Sequence, residues 1–275
     1  MGDRGGPREE TIRNARAGRS SALGEIASFL QADIYSLAVR MLGDDDDAAD
    51  ATQEILMRIV GGFDRFRGDS SLKTWAYRIA TNYLLSAAQR ARNRRTRTFS
   101  ELASRLAEGL RASKDADPAL RLPSSAPMPS ERVEAYELGM HCVSGMLQCL
   151  APQQRLAYLV DVTLGLPTAE SASLLELDPA TYRQRLSRAR RRLHGFMRAN
   201  CGLVDADRAC RCHVQVRAKR RAGGGQSASR HPEAVRVARL YDDLLALQSA
   251  AAVVRSLPDP RAPERILDRL RAALG

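Results

Sequence analysis

DDDDAADATQEILMRIVGGFDRFRGDSSLKTWAYRIATNYLLSAAQRARNRRTR, residues 44–97, passes from an acidic run to a basic one within one helical pattern. Five of the seven residues 44–50 are Asp, and five Arg fall between positions 90 and 97. Between them stand Phe63, Phe66, Trp75, Tyr77 and Tyr83, a dense group in a chain that is only 5% aromatic. Cations neutralise phosphates and rings stack on unpaired bases, so this combination suits single-stranded or opened nucleic acid. The acidic flank would repel DNA and suits a protein partner or a helix start. An amphipathic helical bundle whose charges only wet one face is the bland alternative.

Outward from that stretch the apolar spacing is helical. Leu23, Ile26, Ala27, Leu30, Ile34, Leu37, Ala38 and Met41 recur at intervals of three and four over 21–42. Gly43 ends that helix, and the Asp run caps the next, since carboxylates meet the unpaired N–H groups of a helix start. The second helix, about 47–60, turns Ile55, Leu56 and Ile59 inward and leaves Asp50, Gln53, Glu54 and Met57 outside. Gly61-Gly62 interrupts it. FDRFRGDSS reads as a short element and a loop, and Ser70 or Ser71 caps a third helix running towards Arg94. Leu72, Trp75, Ile79 and Tyr83 mark its apolar side.

Residues 1–20 read as a disordered basic tail. Residues 98–132 hold a weak helical patch at Leu102, Leu106 and Leu110, then DADPALRLPSSAPMPSE, a linker with four Pro. A second domain spans 133–197. Pro152 fits the first turn of a helix 153–164, Thr168 and Glu170 resemble a capping box, and Pro179 opens a helix rich in Arg. Two short helices with a tight turn, the second basic, read as a helix-turn-helix. Thr181, Tyr182, Arg183 and Arg185 lie early enough to reach base edges; Arg188, Arg190 and Arg191 suit phosphates.

These words together resemble the RNA polymerase sigma factors of the sigma-70 family, extracytoplasmic-function (short, two-domain) type. The resemblance rests on DAADATQE (47–54), FRGDSSLKTWAYRIATN (66–82) and SRARRRL (187–193), in that order and spacing. It implies an all-α fold: a region 2 bundle (21–97) and a region 4 helix-turn-helix (133–197) joined by a flexible linker, plus a helical C-terminal extension. It also implies that Asp47, Asp50, Gln53, Glu54 and Met57 contact the clamp helices of the polymerase core's largest subunit. Phe66, Arg67, Ser71, Lys73, Thr74, Trp75, Tyr77, Arg78 and Asn82 would hold the non-template strand of the −10 element. Thr181 to Arg191 would read the −35 element in promoter DNA. An anti-sigma factor is a further partner consistent with the resemblance. The segment TAESASLLELDPATYRQRL departs from the family's Glu-Ile-Ala triplet, with Ala169, Ser171 and Tyr182 in that neighbourhood.

Beyond 197 the resemblance ends. Cys201, Cys210, Cys212 and His213 are suitable zinc ligands, but C-x8-C-x-C-H is not a common knuckle spacing. A redox-sensitive thiol pair and ordinary half-buried cysteines are the other readings, and Cys142 and Cys149 read as core. Residues 198–232 form a Cys-containing basic linker. In 233–275, Val237, Leu240, Leu244, Leu247, Ala251 and Val254 give a heptad face, followed by ERILDRLRAALG. This extension reads as a hairpin folded on the second domain, as a mask over a DNA or polymerase surface, or as a dock for an anti-sigma partner.

The net charge of +11 favours a polyanionic partner. No apolar run approaches a membrane span and no signal-peptide core is present, which points to the cytoplasm. The chain lacks a Gly-rich phosphate loop, a His-x-Glu pattern and a nucleophile elbow, so it does not read as an enzyme. The main alternative is a helix-turn-helix regulator that binds DNA without polymerase core.

Overall fold

The computed structural model describes residues 6–92, 97–116, 127, 129–221, 234–247, 249–256 and 259–274. Among them the chain is all-α, with one isolated bridge between Cys201 and Cys210. Contacts gather the helices into two compact units that do not follow chain order.

The first unit holds α1 (Glu9–Arg16), α2 (Ser20–Leu42), α3 (Asp45–Gly61), α4 (Leu72–Arg92), α7 (Pro152–Leu164), α8 (Thr168–Leu174), the start of α9 (Pro179–Asn200) as far as Leu186, and α13 (Arg265–Leu274). At its centre α2 packs against α3 and α4. Ile26, Leu30, Ile34 and Met41 of α2 are buried together with Ile55, Leu56 and Ile59 of α3 and Leu84 of α4. Small residues, Ala48 and Ala51 on α3 and Ala76, Ala80 and Ala88 on α4, are buried too and let backbones approach closely.

The helix ends follow local chemistry. Gly43 adopts φ 74° and its N–H donates to the Val39 carbonyl, closing α2 in the left-handed turn glycine permits. Asp44 caps α3, its Oδ1 accepting from the N–H groups of Asp46 and Asp47 at 3.1 Å. Ser71 caps α4 through the Thr74 N–H at 3.1 Å.

Part of the expected tail is ordered. Glu9–Arg16 forms α1 rather than a disordered segment, because Glu9 and Glu10 stand in its first turn and Arg13 and Arg16 in its last. Ala15 is buried, and α1 packs on α2. From far along the chain, α13 docks on α2 and α3 through Ile266 and Leu270. Asp259 accepts hydrogen bonds from Ser36 (2.8 Å) and Arg40 (3.1 Å), and Arg265 pairs with Asp46. The helices α7 and α8 close on α4, and the Arg155 guanidinium donates to the Met41 carbonyl.

The second unit holds α5 (Phe99–Ala116), α6 (Pro129–Gln148), α9 from Ser187 onward, α10 (Cys212–Arg221), α11 (Ala234–Ala246) and α12 (Ala250–Arg255). Residues 99–116 are a packed helix rather than linker. Its start is a capping box: the Thr98 N–H donates to Glu101 at 2.9 Å, and the Glu101 N–H to the Thr98 hydroxyl at 3.2 Å. Residues 212–221, also expected as linker, form α10, which packs on α5 and α6. Two bidentate pairs fasten it, Arg217 to Glu131 and Arg220 to Glu134, all at 2.8–2.9 Å. Most of the Pro-rich linker and the Gly-rich segment 222–232 lie outside the described residues. The heptad seam is corrected as well. Val237, Tyr241 and Leu244 are buried while Leu240 is 37% exposed, because α11 presents that face to α6 and ends before α12 begins.

His213, on α10, is buried and shares a hydrogen bond with the Tyr241 hydroxyl at 3.0 Å. Burial first, then the charges of Arg217 and Arg211, lowers its pKa to about 4. The unfolded chain takes up a proton near pH 6.5 that the folded chain refuses. Stability contributed by neutral His213 is therefore present above pH 6.5 and lost as pH falls towards 4. The slope is about 1.4 kcal/mol per pH unit inside that window. Urea midpoints measured from pH 7 to 4.5 should fall faster for the native chain than for His213→Asn, so that the gap between them narrows with acid. Parallel curves would refute the assignment.

Candidate protein-binding and nucleic-acid-binding faces

On α3 the buried positions Ala48, Ala51, Thr52, Ile55 and Ile59 face the bundle, which turns the other side of the helix outward. Asp47, Asp50 and Glu54 are exposed, Met57 is 36% exposed, and Gln53 is half-buried. An exposed methionine flanked by carboxylates is an adaptable contact within an acidic field. Glu54 pairs with Arg58 at 2.9 Å, one turn on. Asp47, Asp50 and Glu54 stay exposed with α13 docked on α3.

On α4 the buried stripe is Leu72, Ala76, Ala80, Leu84 and Ala88. Positions at three- and four-residue steps on the opposite side stay accessible: Ser71, Arg78 and Asn82 exposed, Thr74 and Trp75 half-buried, with Arg67 exposed in the preceding loop. This is a polar and cationic face with one indole edge.

The structure does not leave the aromatic group free. Phe63, Phe66 and Trp75 pack on one another with ring centroids 5.4–5.7 Å apart. Phe66 is only 5% exposed, so its ring is packed inward and supports the loop. Tyr77, expected on the DNA side, is buried behind α4 in a polar pocket with Asp33, Arg40, Thr163 and Asp259. Burial, then the nearby Asp33 and Asp259, raises the pKa of its hydroxyl, so it stays protonated. Lys73 is tied to Asp33 at 2.8 Å and lies over Phe29.

The turn between α8 and α9 forms as the sequence predicts, but its caps differ. Pro167 precedes α8 and no side chain caps that helix, so Thr168 and Glu170 make no capping box. Asp178 instead caps α9, accepting from the N–H groups of Ala180 (3.0 Å) and Thr181 (2.9 Å). A hydrogen bond from the Thr181 side chain first, then these backbone bonds, holds its carboxyl below the usual range. Glu176, in the turn, adopts φ 54°. Arg183, Arg188, Arg190 and Arg191 are exposed on α9, and Thr181 and Arg185 are half-buried. Tyr182 is corrected: it is 1% exposed and its hydroxyl reaches the Ala157 carbonyl at 3.4 Å, so it belongs to the core under α7.

The cysteines are all free thiols. Cys201 bridges Cys210 through the backbone, and burial pushes the Cys142 thiol to about 12 and that of Cys210 to about 11. Among the described residues no three His, Cys, Asp or Glu side chains converge on a position that could hold a metal. His213, one of the weak zinc candidates, is committed to Tyr241. Nor is any helix of the described residues long and apolar enough to cross a membrane.

Residues 29–95 match the family model of Sigma-70 region 2, and residues 140–193 match that of Sigma-70, region 4. Helices α1, α5 and α10–α13 lie outside both matches. The chain is similar to proteins described as ECF RNA polymerase sigma factors. It is 32% identical to SigG of Mycobacterium tuberculosis over 159 residues, 56% of this chain and 43% of that protein. It is 28% identical to SigC of the same species over 177 residues, 64% of this chain and 84% of the relative. With SigW of Bacillus subtilis it shares 25% identity over 190 residues, 69% of this chain and 96% of the relative. The chain thus spans less than half the length of SigG.

Proposed function

We propose that this chain is a sigma factor of the extracytoplasmic-function type, acting in the cytoplasm. It binds bacterial RNA polymerase core through Asp47, Asp50, Gln53, Glu54 and Met57 and directs the polymerase to promoters. The outer face of α4, with Arg67, holds the non-template strand of the −10 element, and α9 reads the −35 element with Thr181, Arg183 and Arg185. Arg188, Arg190 and Arg191 take phosphates. Functionally the segments 21–97 and 133–197 are its two modules. It catalyses nothing itself; the polymerase supplies the chemistry.

The observation that carries this reading is the division of labour on one bundle. An open acidic stripe on α3, unsuited to DNA, accompanies a polar and cationic face on α4 suited to it. A DNA-binding regulator working alone has no use for the acidic stripe. Run-off transcription from a genomic promoter library tests the proposal, using the purified full chain with bacterial core polymerase and no other sigma. Specific start sites are expected. Tight duplex binding without any initiation would favour the core-independent regulator instead.

A further inference from the structure

The opened-strand face has a neighbour that the family match does not include. Helix α1 precedes residue 29, where that match begins, and it packs on the short 3-10 turn Phe63–Arg65 that leads into the loop. Arg16, in its last turn, places its guanidinium 5.3 Å from the centre of the Phe66 ring. A side chain at Gly68 would meet the Arg16 Nη2 at 3.2 Å, so the guanidinium also lies against the loop backbone where it turns at φ 87°. Phe66 is closed off while Arg16 is exposed. What this corner of the loop offers to an incoming strand is therefore a guanidinium and not a ring.

Other cations of the bundle that lie over rings are already neutralised. Arg58 covers Tyr83 but pairs with Glu54, and Lys73 covers Phe29 but pairs with Asp33. Among the described residues Arg16 meets a ring and a glycine backbone rather than a carboxylate. A guanidinium held over an aromatic ring keeps N–H donors free for phosphate oxygens, and the ring limits the freedom lost on binding.

We propose that Arg16 is a strand-contacting residue, giving its guanidinium to the sugar–phosphate backbone of single-stranded DNA beside the loop 66–71. The role rests on the reading of α4 as the strand-holding face. It extends that face onto α1 and assigns the contact to phosphate, independent of base sequence.

The test measures binding of labelled single-stranded DNA of mixed sequence across a salt series. It uses the full chain, with and without core polymerase, and the variants Arg16→Gln and Arg16→Lys. Loss of one phosphate contact should flatten the plot of log affinity against log salt by about 0.7. Affinity at low salt should drop about tenfold for Arg16→Gln. Arg16→Lys should keep the native slope. Thermal melts of the variants report folding separately. An unchanged slope in Arg16→Gln overturns the contact, whether affinity is native or is lost equally in Arg16→Lys; in the second case Arg16 only braces the loop. Failure of the wider functional reading shows elsewhere, as absent run-off initiation, so the two cannot be confused.

Discussion

Asp50→Lys combined with Glu54→Lys should abolish promoter-specific run-off transcription, by roughly a hundredfold or more, while leaving the fold intact. Both carboxylates are exposed on α3, away from its buried alanine and isoleucine face, so reversing them removes little packing. Glu54→Lys does face Arg58 one turn on, replacing an exposed pair by a repulsion of a few tenths of a kcal/mol. That is too small to unfold the bundle. An interface that expects negative charge and meets two positive charges instead suffers like-charge juxtaposition at close range. Co-elution with core polymerase should be lost in step with transcription. Binding of the isolated chain to single-stranded DNA should hold or strengthen, since two anions near the strand become cations. If run-off persists undiminished, α3 is an ordinary wetted face and the polymerase contact lies elsewhere.

The second large effect concerns a residue that sequence alone assigns to base reading. Tyr182→Ala should destabilise the fold by about 3–5 kcal/mol, the cost of removing a buried aromatic ring and leaving its cavity. Tyr182→Phe keeps the ring and removes one hydroxyl, whose reach to the Ala157 carbonyl is long at 3.4 Å. Its cost should be about 1 kcal/mol, with promoter choice in the run-off library unchanged. A shift in start-site preference for Tyr182→Phe, at native stability, would return Tyr182 to the DNA surface. Denaturant midpoints and the start-site spectrum together decide it.

The two tyrosines show what a linear pattern can carry. Helical spacing correctly marks Ile55, Leu56 and Ile59 as interior, and the Gly43–Asp44 junction as a stop followed by a cap, because those decisions are made within one turn of chain. Tyrosine is ambiguous in such a pattern, having an apolar body and a polar tip. Tyr77 and Tyr182 sit near exposed cations in sequence, yet neighbouring helices cover both. The Thr98-x-x-Glu101 capping box lies in the sequence, but the Pro-rich stretch after it leaves the helix there reading only as a weak patch before a linker.

Other features had no local signal. Glu131 and Arg217 are 86 residues apart and Arg40 and Asp259 are 219 apart, and each side chain alone reads as a surface charge. Arg16 carries no local signal for a related reason. A Gly- and Arg-rich start reads as disordered, and only the packed position of α1 against the Phe63–Arg65 turn gives that arginine an address.

The docking of 259–274 on α2 and α3 also bears on how the protein is made. Arg40 leaves the ribosome 219 residues before its partner Asp259. At bacterial elongation speeds that is a delay on the order of ten to forty seconds. For that interval α2 and α3 exist without the helix that seats Ile266 and Leu270 on them, and Arg40 has no carboxylate from Asp259. The nascent bundle therefore passes through a long-lived uncovered stage in which its apolar seam is open to chaperones, to other chains and to proteases. Overproduction at low temperature, with slower synthesis, lengthens that exposure rather than shortening it.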